Sequence, residues 1–340
     1  MKIALIGHRG HWGYVLRDLA RLPEVEVSAI SGGGDAVEPM AEALKKYYDK
    51  EFALYDDYRK MLDEAECDLV MVDGPFELHA EMCVECLKRS KHVFCEKPVA
   101  LTLEDLEKIE DAYRQAAPGT RIVSMVGLRT EPAFHAAWRA VDSGAVGKVQ
   151  MINARKSYKL GQRRDFYKKR SSYGGTIPWV GSHALDWILW FSGSRFKTVG
   201  AFHSSAENRD HGDLEMTAAV MCQMENGVIG TASIDYWRPL TAPTHGDDQV
   251  RVAGTDGVIE VAHGECTLIN QGGVRKIALS EDRGIFYDFV RAILDGTPGI
   301  VSAEDTFELT RACLAARDDA DMNMEDDLEE CCIQQNCSQK

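Results

Sequence analysis

Lys2-Ile3-Ala4-Leu5-Ile6-Gly7-His8-Arg9-Gly10-His11-Trp12-Gly13 is the stretch on which the fold turns. Residues 2 to 7 form an apolar run of strand character, glycines stand at 7, 10 and 13, and Val15, Leu16, Leu19 and Leu22 then recur at helical spacing. Strand, glycine turn and helix in that order make a dinucleotide-binding unit. Glycines let the backbone approach a pyrophosphate, and the helix start offers free amide donors at the positive end of its dipole. The spacing G-x-x-G-x-x-G is one residue wider than the usual fingerprint, so a structural turn without a ligand stays open as the alternative. Gly7, His8, Arg9, Gly10, His11, Trp12 and Gly13 are the expected cofactor-side residues.

Working outward, Val25 to Ile30 reads as a second strand ending in Ser31-Gly32-Gly33-Gly34-Asp35. An NAD-specific protein normally places an acid at the end of this strand to hold the ribose hydroxyls, and Asp35 comes late. The cofactor is therefore NAD or NADP with the balance towards NADP, whose 2′-phosphate would find Ser31, Gly32 and Arg9. Phe52 to Met61 is a third strand-helix unit. Leu69-Val70-Met71-Val72 is a buried strand that breaks at Asp73-Gly74-Pro75, with His79 opening the next helix as a cap, a core histidine or a ligand contact. Val93-Phe94-Cys95 is another interior strand, and it delivers Glu96, Lys97 and Pro98 to the sheet edge where ligands of open α/β sheets bind. The plain alternative for Glu96 and Lys97 is a surface ion pair. Thr102-Leu103-Glu104-Asp105 reads as a capping box for a helix carrying Leu103, Leu106, Ile109 and Tyr113, and Ile122 to Val126 closes this half.

A chain of 340 residues is too long for one ordinary core and suits two domains. No apolar run reaches the roughly 18 residues of a membrane span, and the start enters a strand directly, so a soluble, cytoplasmic protein is expected. The formal charge of −15 argues against nucleic acid, which needs a basic face. Much of the acid lies between Asp318 and Glu330, in an expected solvated tail over 318–340. The ten cysteines show no secreted disulfide pattern, and Cys83 with Cys86 falls on an apolar helix face beside Met82 and Leu87. They are expected to be reduced core thiols rather than metal ligands, with Cys331, Cys332 and Cys337 incidental.

The second half carries β-rich segments at Val149 to Ala154, Thr198 to His203, Glu215 to Met224, Val228 to Ile234 and Val250 to Val252, which suggest a sheet. One helix runs from about His183 to Phe191, and helices at Ile285 to Leu294 and Ala303 to Ala316 return the chain to the first half.

The glycine turn, Pro75 with His79, and Glu96-Lys97-Pro98 together resemble the glucose-fructose oxidoreductase, inositol dehydrogenase and MocA family. Gly127 with Arg129 and Pro132, Ser143 to Lys148, and Gly181-x-His183-x-x-Asp186 extend the resemblance over roughly residues 2 to 317. It implies an α/β protein: a Rossmann doubly wound parallel sheet at 1–126, then a domain at 127–317 on a large, mostly antiparallel sheet for substrate binding and oligomerisation as a dimer or tetramer. It also implies hydride exchange between a nicotinamide and a secondary alcohol of a sugar, sugar acid or cyclitol. Lys97 is then the proton shuttle, His183 the hydroxyl-binding partner, Asp186 a pocket residue and Arg129 a substrate contact, while Glu96 orients the lysine loop and touches the cofactor end. Relatives that use tightly held NAD for elimination or glycoside cleavage, and a non-catalytic nucleotide sensor, are the rival classes.

Such chemistry needs a group that takes the hydroxyl proton near neutral pH, and Lys97 suits it if burial and nearby positive charge lower its pKa. One departure from the family pattern is Trp179, which stands where an aspartate is usual, one helical turn before His183. The indole is a stacking face for substrate or a packing residue. Lys156, Lys159, Arg163, Arg164, Lys168, Lys169 and Arg170 accompany a single acid, Asp165, just before it. That run, Arg163 within it, is expected to attract an anionic substrate or the cofactor phosphates, with a solvated loop or subunit contact as the alternative.

Overall fold

The computed structural model describes residues 1–337, with side chains described through residue 323. The chain divides into two compact units. The first comprises residues 1–135, 171–174 and 280–310; the second comprises 136–170, 175–279 and the chain from 311. This is not a single cut after residue 126.

The first unit is built on β1 (Lys2–Ile6), β2 (Glu26–Ser31), β3 (Ala53–Tyr55), β4 (Leu69–Val72), β5 (His92–Cys95) and β6 (Ile122–Ser124). They form one sheet in the order β3-β2-β1-β4-β5-β6. Every pairing is parallel. That is the doubly wound dinucleotide-binding order, in which the chain reverses direction between β1 and β4 and opens a crevice at their carboxyl ends. The central strands are apolar throughout because helices cover both faces: Ile3 to Ile6, Leu69 to Val72 and Val93 to Cys95 are all fully buried.

Helix His79–Lys88 lays Met82, Cys83, Cys86 and Leu87 into the same core as Cys95, so Cys83 and Cys86 are buried free thiols as expected. Burial pushes the Cys86 thiol well up, away from the reactive thiolate range. Helix Leu103–Gln115 starts where the capping box places it, with the Thr102 hydroxyl accepting from the Asp105 amide at 3.1 Å. Helix Ile285–Leu294 belongs to this unit, where Phe286 and Phe289 pack on Phe94 at centroid distances of 5.2 and 5.7 Å.

The second unit is an eight-stranded sheet: β7 (Val149–Tyr158), β8 (Phe196–Ser204), β9 (Thr217–Met224), β10 (Ile229–Asp235), β11 (Gly246–Gly254), β12 (Gly257–Ala262), β13 (Glu265–Asn270) and β14 (Gly273–Lys276). Their order is β14-β13-β12-β11-β7-β10-β9-β8. Only β7 and β10 run parallel; the other pairings are antiparallel. Alternation sends Ile152, Ala154, Ala232, Ile234, Val250 and Val252 inward, and leaves Met151, Phe202, Met221 and Ile229 exposed on the other face.

The last helix does not stop before an acidic tail. It spans Ala303–Cys337, and its described acids are engaged. Asp319 accepts from the Ala201 amide at 2.7 Å, and Asn323 donates to the Ala201 carbonyl at 3.0 Å. Two residues one helical turn apart thus satisfy both backbone groups of a residue on the edge strand β8. The reason for the difference is electrostatic: Asp319 and Asp321 meet donors from β8 and from Arg170. Cys331, Cys332, Cys337 and the acids from Glu325 to Glu330 lie outside the residues whose side chains are described. Among the described residues no helix is long and apolar enough to cross a membrane.

Candidate active site

In the first unit the glycine turn follows β1 directly. Gly7 has a φ of +76°, and a Cβ there would lie 2.4 Å from Gly74 Cα, so only glycine fits between the ends of β1 and β4. Gly10 is equally constrained, since its Cβ would meet Glu96 Cγ at 2.7 Å and Asp73 Oδ1 at 2.8 Å. Gly13 is not: nothing lies within 4 Å of a Cβ there.

Two buried carboxylates answer the amides of this turn. Asp73 accepts from Gly10 N at 2.6 Å and from Trp12 N at 2.9 Å. Glu96 accepts from His11 N at 3.1 Å, and His11 Nδ1 lies 3.1 Å from both of its oxygens. Burial and then the adjacent Glu96 push the Asp73 carboxyl well above its usual range, against the pull of the Gly10 and Trp12 amides and Lys97. Burial works in the same direction on Glu96, but His11, Lys97 and His79 outweigh it and hold that carboxyl below the ordinary glutamate range. Of the pair, Glu96 is therefore the ionised member and Asp73 the protonatable one.

Lys97 is 4% exposed, and its Nζ lies 3.7 Å from Glu96 Oε1. The surface ion pair is thus replaced by a buried one at the carboxyl end of β5. His79 is fully buried between two carbonyls, Pro98 O at 2.9 Å from Nδ1 and Gly74 O at 3.1 Å from Nε2. Burial lowers its pKa, so the ring is neutral and donates to one carbonyl at a time. It ties the turn after β4 to the turn after β5. Pro75 packs beside the Gly34 position, 3.4 Å from a Cβ built there.

Arg9 and Ser31 are not placed as a 2′-phosphate site. Arg9 forms a two-point ion pair with Asp35, Nε to Oδ2 at 2.6 Å and the second nitrogen to Oδ1 at 2.7 Å. Ser31 is fully buried. The sharp Gly32-Gly33-Gly34 turn brings Asp35 back: a Cβ on Gly32 would sit 1.9 Å from the Asp35 carbonyl oxygen. Arg129 donates within this unit to Ile300 O at 2.9 Å and to Asp305 Oδ2 at 3.0 Å.

In the second unit a π-helical turn, Ile177–Gly181, runs into helix Ser182–Ser192, which carries His183 and Asp186, both buried. Wide turns of this kind are frequent at functional sites. Gly181 lets the turn approach β10, since a Cβ would meet Ile234 Cδ1 at 2.7 Å. Trp179 is 5% exposed, with its ring 5.8 Å from that of Tyr167. Glu215 anchors the turn from the front: its Oε2 accepts from Thr176 N at 3.0 Å, and its backbone carbonyl accepts from the Thr176 hydroxyl at 2.7 Å.

Part of the basic run is neutralised. Lys156 pairs with Asp248, Lys168 with Asp165 at 3.0 Å, and Arg170 with both Glu215 and Asp321. Asp73, Glu215 and Asp248 are the residues that reading the sequence did not single out. An acid closing an apolar strand is a visible signal for Asp73; Glu215 and Asp248 carry none.

A Rossmann sheet with a glycine turn at its switch point fits a dinucleotide, and the space beside Gly13 is open to one. Gly10, His11 and Trp12 amides are the donors it would take over from Asp73 and Glu96.

The NAD-binding Rossmann model of an oxidoreductase family matches residues 1–118, and the GFO/IDH/MocA C-terminal domain model matches residues 134–260. A solved structure described as an oxidoreductase from Thermotoga maritima is 40% identical, covers 95% of this chain and 98% of that one, and superposes with a TM-score of 0.90. The uncharacterized oxidoreductase YrbE of Bacillus subtilis is 27% identical over 71% of this chain and 68% of its own length. Myo-inositol 2-dehydrogenase of Thermotoga maritima is 26% identical over 90% of this chain and 92% of its own. A parallel six-stranded nucleotide-binding sheet, a large mixed sheet and two matching domain models place this chain in the GFO/IDH/MocA family of NAD-binding oxidoreductases.

Proposed function

We propose that the protein oxidises or reduces a secondary alcohol of a sugar-like or cyclitol-like substrate, with Lys97 as proton shuttle and His183 binding the reacting hydroxyl. The observation that carries this reading is Lys97 itself, buried at the carboxyl end of β5 beside an ionised Glu96 in a family of oxidoreductases. A bound nicotinamide supplies the hydride acceptor or donor. Lys97 moves the hydroxyl proton, Glu96 holds the lysine in place, and Asp186 lines the substrate side. The reading also draws on myo-inositol 2-dehydrogenase among the relatives.

The cofactor we propose is NAD. Asp35 returns an acid to the loop after β2, and Arg9 is already paired with it, so a 2′-phosphate would meet a carboxylate and no uncommitted arginine. This reverses the balance drawn from sequence. The exposed apolar face of the large sheet, with Phe202 and Met221 about two-thirds exposed, supports a homo-oligomer, and the buried free thiols support a reducing, cytoplasmic setting.

A panel of polyols, cyclitols and sugar acids, each offered with NAD and with NADP, tests the reading by nicotinamide absorbance. Turnover with at least one polyol is expected, faster with NAD, and Lys97→Met should lower it by about 10²- to 10⁴-fold in a variant that circular dichroism shows to be folded at the assay temperature. Undiminished turnover in Lys97→Met would remove the lysine from the chemistry. Product without net change in nicotinamide would point to the redox-assisted lyase class.

A further inference from the structure

Within the basic run, Arg163 makes no ion pair with a carboxylate among the described residues, and it is partly buried where Lys169 is exposed. Its guanidinium lies over the Tyr236 ring at 4.7 Å and the Tyr167 ring at 5.5 Å, and donates one long bond to Lys159 O at 3.3 Å. Its Nε is buried and without an acceptor. Asp248, which neutralises Lys156, keeps a second buried oxygen, Oδ1, without a donor. Both lead to His245. Lys159, whose carbonyl accepts from Arg163, donates its amide to His245 O at 3.0 Å. Lys156, paired with Asp248, lies 4.8 Å from the Tyr158 ring, which packs on His245 at 4.8 Å. Buried polar atoms are nearly always satisfied, and an open donor and an open acceptor near one histidine suit a ligand carrying both an anionic oxygen and a hydroxyl.

The same cluster abuts the His183 helix. Lys156 Nζ lies 5.5 Å from the Trp187 ring, and Trp187 follows His183 by one helical turn on the same face. Tyr167 in turn packs on Trp179.

We infer that Arg163, backed by Tyr236 and accompanied by Asp248, forms an anion subsite of the second unit that takes the carboxylate or phosphate group of a polyhydroxy acid or polyol phosphate. Arg163 Nε donates to the anionic oxygen and Asp248 Oδ1 accepts from a substrate hydroxyl. The assignment rests on the reading that His183 binds the reacting hydroxyl, and it names the substrate class of that site.

Calorimetric titration of the full chain with D-gluconate, D-glucose 6-phosphate and neutral D-glucitol tests it. The wild type should bind one or both anions more tightly than glucitol, the better of the two telling carboxylate from phosphate. In Arg163→Gln the preference for anion over glucitol should fall by about tenfold or more, as expected for one charge-assisted bond. Arg163→Lys keeps the charge and the stem but loses the fork, so it covers the case in which the glutamine variant fails to fold; it should retain part of the preference. Equal binding of all three probes by the wild type, or an unchanged preference in a folded Arg163 variant, overturns the subsite. Oxidation of neutral polyols with no anion preference would sink the subsite alone. Arg163-dependent anion binding without oxidation of any polyol would sink the dehydrogenase reading and leave the subsite.

Discussion

The glycine turn of the first unit and the basic run of the second both bring strong polar groups into the interior, and they resolve them in opposite ways. In the turn, backbone amides of Gly10, His11 and Trp12 are answered by the carboxylates of Asp73 and Glu96. In the basic run, Lys156 and Arg170 are answered by Asp248, Glu215 and Asp321, while Arg163 meets two aromatic rings and no carboxylate among the described residues. The first site thus carries surplus acid where an anionic cofactor is expected, and the second carries surplus base. A charge next to a ligand site is informative only after its own partners have been subtracted.

The largest effect on this contrast should come from Gly10→Ala. The added carbon would press on Asp73 and Glu96 together, so the turn must shift; nucleotide binding should be lost and the melting temperature lowered, by about 2 kcal/mol or more of stability. Glu215→Ala strips the buried acceptor from Thr176 N and one partner from Arg170. It should cost about 2–4 kcal/mol in chemical denaturation, whereas Arg163→Gln, with no carboxylate to abandon, should cost less.

Asp73→Asn breaks the contrast from the other side. An ionised Asp73 competes with a pyrophosphate for the same amides, so the neutral variant should bind NAD more tightly by about an order of magnitude in fluorescence titration. The pH dependence has a definite sign. A bound dianion favours the protonated carboxyl further, so binding takes up a proton and wild-type affinity should fall as pH rises through the elevated Asp73 pKa; the asparagine variant should lack that slope. Since the folded-state pKa is raised, the contribution of Asp73 to stability is likewise present at low pH and lost as pH rises. The smallest effect belongs to Gly13→Ala, where the side chain enters open space and stability should change by no more than about 0.5 kcal/mol. A large loss there would mean that the third glycine is as confined as the second.

Much of the first unit was legible because its signals are local. Apolar runs too short for helices, each followed by a glycine turn or a polar break, are what parallel strands buried on both faces look like, and β1, β4 and β5 lie where those runs are. Lys97 was legible for the same reason, being delivered by the end of such a strand. For His79, Arg9 and Arg129 the sequence left the role open, because residue type and position cannot tell a polar group aimed at a ligand from one bonded to a carbonyl or carboxylate brought from elsewhere in the chain.

By itself the sequence determined the order of strands and helices, the two sheets, the place of the glycine turn and the buried strand that carries Glu96 and Lys97. These follow from periodicity and turn chemistry, which act over a few residues. Tertiary structure decided which charges remain available. Asp35 reaches Arg9 across 26 positions, Glu215 reaches Thr176 across 39, and Asp248 reaches Lys156 across 92. Neutralisation depends on distance in space, and no pattern along the chain encodes it.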